Sequence, residues 1–106
     1  MSDDYNQRQY WLILERIKAY QANTLGLHAL SGSIRGLISA LEGVPDSLRD
    51  ELVSEWGVLH DINAGMIDSN NNILSDECAW RITKAVTQLK DLVLRQIDDP
   101  AEAKRD

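Results

Sequence analysis

Residues 47–68, SLRDELVSEWGVLHDINAGMID, decide the fold. Leu48, Leu52, Trp56, Leu59, Ile62, Asn63 and Met66 recur at spacings of three and four, so one face of a helix gathers them. Asp50, Ser54, Asp61 and Asp68 fall on the opposite side, and Glu51 and Glu55 stand at the border. Such a helix buries its apolar stripe against partner helices and turns an acidic wall to solvent. The acidity is local. From Glu42 to Glu77 there are nine acidic residues and one base, Arg49, which is −8 against −6 for the whole chain. The remainder is slightly positive.

Working outward, the chain before this helix predicts two more. The first spans about Asp4 to Gln21, capped by Ser2 or Asp4, with Asp3 and Asp4 near the positive end of its dipole. Its core stripe is Tyr10, Ile13, Leu14, Ile17 and Tyr20. Leu12 faces away from that stripe, with Tyr5 and Ala19. The helix is therefore either covered on two sides or left with a Tyr5/Leu12 patch. Asn23, Thr24 and Gly26 form a turn, with Gly26 suited to a left-handed backbone. The second helix runs from about Leu27 to Leu41, with Leu27, Leu30, Ile34, Leu37 and Leu41 in a short heptad pattern. Its other side is built of Ala29, Gly32, Gly36, Ala40 and Gly43, with Ser33 and Ser39 beside them. That small face either packs tightly, under Trp11 or Trp80, or forms a groove for a partner protein.

Gly43 to Asp46 form the second turn, where Pro45 ends the second helix. Ser47 caps the third, with Asp50 placed as in a capping box. Ser69 to Asn72 read as the third loop. Ser75 caps a fourth helix reaching about Ile97, with Asp76 and Glu77 in its first turn. Its stripe is Cys78, Ile82, Ala85, Val86, Leu89, Val93 and Ile97. Trp80 lies nearly opposite, either as a lid over the small face or as an exposed anchor for a protein partner. Asp98-Asp99-Pro100 stops the helix, and residues 98–106 form a charged tail. Four amphipathic helices with short loops and no strand pattern predict an all-α, antiparallel up-down-up-down four-helix bundle. It is one domain over residues 1–106, with an ordered core from about 4 to 97.

Composition narrows the function. With 106 residues the chain can bury a core without staples, and its 43% hydrophobic and 26% charged residues are ordinary for a globular protein. No apolar run approaches the roughly 20 residues of a membrane span. The polar start MSDDYNQRQ is unlike a secretory signal, and a single cysteine, Cys78, fits a reducing cytosol. A net charge of −6 argues against gripping phosphates; it favours a basic protein partner, or serves solubility alone. No nucleophile signature, phosphate loop or paired Glu-x-x-His motif occurs, so neither an enzyme nor a metal or cofactor is expected. His60 and Asp61 are adjacent on a helix and cannot face each other.

The layout carries a resemblance. An apolar helix ends in Ala19-Tyr20, a turn follows near Thr24 to Leu27, and then comes Leu37-Ile38-Ser39-Ala40-Leu41-Glu42. After Pro45 the next helix holds Glu55-Trp56-Gly57-Val58-Leu59 and Ile62-Asn63-Ala64, and a Leu74-Ser75 cap opens the last helix. Over roughly residues 8–97 this resembles the small all-helical immunity proteins of bacterial toxin–immunity systems, including contact-dependent growth inhibition. The resemblance implies a cytoplasmic protein that binds and neutralises one cognate toxin, often a nuclease. Four complete apolar stripes with no ligand cluster predict a monomer or weak homodimer. It carries over no binding residues by motif. From charge and exposure, Asp50, Glu51, Glu55, Asp61 and Trp80 are the candidate toxin-binding residues. The competing reading is a helical adaptor whose exposed Tyr5, Leu12 and Trp80 make homo- or hetero-oligomer contacts.

Overall fold

In a computed structural model, which describes residues 2–69 and 74–97, four helices follow one another. They are α1 (Ser2–Gln21), α2 (Leu27–Ala40), α3 (Asp46–Ser69) and α4 (Asp76–Leu94). No strand occurs among the described residues. Ser69, expected to open the third loop, instead ends α3; the rest of that loop, Asn70 to Asn72, the stop at Asp98 to Pro100 and the charged tail lie outside the described residues. The chain forms the all-α four-helix bundle its periodicity demands: α1 packs on α2 and α4, and α3 packs on α2 and α4. The four stripes meet in one core. Ile13, Ile17, Leu30, Ile34, Leu52, Leu59, Ile82, Val86, Leu89 and Val93 are fully enclosed. Burying each stabilises the fold by about 1.5–3 kcal/mol relative to exposure.

The helix ends differ from expectation in instructive ways. Asn23, not Gly26, takes the left-handed conformation after α1, at φ 63°. Thr24 N–H then reaches back to Ala19 C=O at 2.9 Å and Asn23 N–H to Tyr20 C=O at 3.0 Å, a Schellman closure. Gly26 has an extended backbone as the N-cap of α2. Helix α2 stops at Ala40, ahead of Pro45, because Leu41 turns extended; Gly43 supplies the positive φ, +67°, of the following turn. Ser47 is not the cap of α3. The helix already includes Asp46, and Pro45 C=O accepts its first bond from Arg49 N–H at 3.1 Å. Asp4 likewise lies inside α1 rather than capping it. At α4 the reading holds: the Ser75 hydroxyl accepts from Cys78 N–H at 3.1 Å. That helix closes at Leu94, three residues short of Ile97, whose side chain is buried all the same.

Polar side chains tie the bundle at one end. The Asn6 amide pairs with the Glu42 backbone twice, accepting from its N–H at 3.0 Å and donating to its carbonyl at 2.6 Å. Gln7 Nε2 donates to Gln96 C=O at 2.7 Å, fastening the end of α4 to the start of α1. Arg49 donates to Ile38 C=O at 2.8 Å and Leu41 C=O at 2.7 Å. Those carbonyls belong to the last turn and cap of α2, where the helix dipole favours a cation. Asn6 sits on the apolar phase of α1, yet no buried side-chain nitrogen or oxygen among the described residues lacks a partner.

Candidate functional site

Helix α3 displays its acids as the periodicity requires. Asp50, Glu51, Asp61 and Asp68 are exposed and Glu55 is half-buried. At 100° per residue, Asp50 and Asp61 lie within about 20° of each other and about 16 Å apart along the axis. The only Lys or Arg on this helix, Arg49, is committed to the carbonyls of α2. The outward side of α3 therefore carries its acids without a compensating Lys or Arg, with Val53 and Ile67 also exposed on the helix.

Trp80 is 62% exposed on α4. It is no lid on the small face, because α4 packs on α3 and α1 instead of α2. It edges a groove of about 360 Å³ between α3 and α4. Val58 and Ala85 form apolar walls of that groove, and Glu55, Arg81 and Lys84 line it as well. Lys84 Nζ stands 5.0 Å from the Trp80 ring centroid, a cation–π distance. Of the five candidate residues, then, the fold brings Glu55 and Trp80 into one groove. Asp50, Glu51 and Asp61 are not among its lining residues and belong to the open surface of α3.

The seam between α2 and α3 holds a second cluster that periodicity alone does not reveal. Trp56 is partly buried rather than enclosed. Its indole N–H donates to Ser31 C=O at 2.8 Å across the helix pair. The His60 ring stacks on Trp56 with centroids 4.9 Å apart, and the Arg35 guanidinium carbon lies 5.4 Å from the indole centroid. Asn63 Nδ2 and His28 Nδ1 are hydrogen-bonded at 3.0 Å. Each histidine thus meets a neighbouring side chain, His60 the Trp56 ring and His28 the Asn63 amide, and among the described residues neither is paired with a carboxylate. The spacing of His60 one turn after Trp56 was the available signal; Arg35 comes from another helix and left none.

The small face of α2 is open. Ala29, Gly32, Gly36 and Ser39 are exposed, and a Cβ added at Gly32 or Gly36 would meet nothing within 4 Å. The tight packing expected under a tryptophan does not occur. On α1, Tyr5 and Trp11 are each 41% exposed, and Leu12 is partly exposed and not packed on the core. The second cover for α1 is absent among the described residues. Cys78 is partly buried against the core as a free thiol. No group of three or more His, Cys, Asp or Glu is placed to hold a metal ion among the described residues, and no helix there is long and apolar enough to cross a membrane. In comparison with known proteins, the chain matches no family model, no curated protein and no solved structure.

Proposed function

We propose that the chain is an immunity protein: it binds one cognate bacterial toxin, a nuclease with a basic cleft, and occludes that toxin's active site. One observation carries this reading. A 24-residue helix presents Asp50, Glu51, Asp61 and Asp68 to solvent while its single Lys or Arg is engaged on α2. A stiff row of carboxylates about 27 Å long, from Asp50 to Asp68, can steer a basic surface and occupy positions that phosphates would take. The interaction would take place in the cytoplasm, where the toxin's target lies, and needs neither catalysis nor a cofactor. The exposed Tyr5, Trp11 and Trp80 favour one competitor, a homo- or hetero-oligomeric adaptor.

The test starts from the reading frame immediately upstream: where it encodes a large secreted protein with a nuclease-like C-terminal domain, that domain is co-expressed with the chain and the binding kinetics are measured. Reversing Asp50, Glu51 and Asp61 to Lys should slow association at least tenfold and abolish protection, with the melting temperature little changed. In the wild type, raising salt should slow association as the Debye length shrinks below about 8 Å. Full protection by the triple variant, with association indifferent to salt, would sink the proposal. A dimer in sedimentation that dissociates on Trp80→Ala or Tyr5→Ala would favour the adaptor.

A further inference from the structure

We propose that the groove between α3 and α4 is a separate docking site of opposite sign, which takes a short peptide segment carrying an apolar side chain beside a single carboxylate. The argument starts from the chemistry of its lining. Val58 and the exposed Trp80 ring offer apolar surface at the junction of the two helices, with Ala85 buried at its floor. Arg81 and Lys84 stand on the α4 side, and Gln88 adds an amide one turn further on. Among the described residues the only carboxylate lining it is Glu55. Two cations against one carboxylate leave a local charge of +1, in a chain whose total is −6.

That balance selects the occupant. One side-chain carboxylate neutralises the groove, whereas a phosphate monoester would bring a second negative charge toward Glu55. The ring that a nucleobase would stack on already has Lys84 5.0 Å from its centroid. A carboxylate drawn to Lys84 would instead keep the cation over the ring and add a charge-assisted bond. A volume of about 360 Å³ suits one or two side chains of an extended segment better than a whole protein surface, being at the low end of the roughly 300–1,000 Å³ of ligand clefts. Trp80, 62% exposed, is the kind of large rigid side chain that anchors interfaces. This site goes beyond the acidic reading of α3, and either can fail without the other.

The experiment needs no toxin. Random dodecapeptides displayed on phage are selected on the immobilised full chain, and the enriched peptides are titrated while the indole N–H signals are followed by NMR. The expected enrichment is an apolar residue within two positions of Asp or Glu, with the Trp80 indole signal moving. Trp80→Ala and Lys84→Glu, both at exposed positions, should each weaken binding at least tenfold while the thermal melt stays intact. Four results would overturn the proposal: no enrichment; enrichment of neutral or basic peptides; binding undiminished in both variants; or a Trp80 shift on adding AMP that the peptides do not produce. Concentration-dependent self-association that Trp80→Ala abolishes would also overturn it, assigning the groove to a second copy of the chain.

Discussion

At the scale of single residues, the polar side chains set what the apolar stripes leave open. Asn6 holds the backbone of Glu42 with both ends of its amide. Asn6→Ala leaves two partly buried backbone groups unpaired and should cost about 1–3 kcal/mol in urea titration. Asn6→Asp should be no better, since it turns a donor into an acceptor against the Glu42 carbonyl. Trp56 divides its value between packing and one hydrogen bond. Trp56→Phe, which removes that bond while the Ser31 carbonyl keeps its place in the α2 ladder, should cost about 0.5–1.5 kcal/mol. Trp56→Ala should cost about 2–4, toward the low end of what emptying a fully enclosed aromatic site would. Burial pushes the Tyr20 phenol above its ordinary 10.0. Its folded value is raised, so its contribution is complete below pH 10 and is lost as pH climbs through the folded value. Tyr20→Phe should therefore flatten part of the alkaline fall in stability, read by denaturant titration on either side of pH 10. None of these pairings was legible in the sequence. Asn6 and Glu42 are 36 positions apart, and nothing local marks one as the other's partner.

At the scale of helices, the faces were legible and the ends were not. Every residue assigned to the α1 stripe is buried or packed on the core, because helical phase is a property of neighbours in sequence. Cap positions depend on where a helix is interrupted, and that is decided by tertiary packing. Ser47 is a good capping residue and still became part of α3, whose path into the bundle begins at Asp46. The same contrast governs α2. Gly32 and Gly36 carry the conformational cost of glycine with no compensating close approach. Gly32→Ala and Gly36→Ala should each raise stability by about 0.5–1 kcal/mol, measured by thermal or urea unfolding. Asn23→Val should lower it by about 1–2 kcal/mol, since a β-branched residue tolerates φ 63° poorly.

At the scale of the whole molecule, the bundle followed from four stripes and short connections, and the candidate site followed only in part. Charge concentration around α3 was visible as composition. Its consequence, an outward face without a compensating base, required knowing that Arg49 is turned to α2. Trp80 could be placed off the core stripe by phase, with Lys84 one turn on, but the α3 side of its groove, Glu55 and Val58, depends on which helices pack together. A molecule with this much like charge on one helix should gain stability as salt screens it. Raising NaCl from 20 to 500 mM should move the urea midpoint upward in the wild type, and less so after Asp50→Asn with Asp61→Asn.

The ties at the end of the bundle bear on the order of events in folding. Helical hairpins form from contacts close in sequence and so form early, whereas Gln7 and Gln96 meet across 89 positions. Loop-closure entropy makes such a contact late. Gln7→Ala should accordingly accelerate unfolding and leave the refolding rate almost unchanged, a φ-value near zero in stopped-flow chevrons. The α1–α4 seam is then the latch whose opening rate sets how long the native bundle survives.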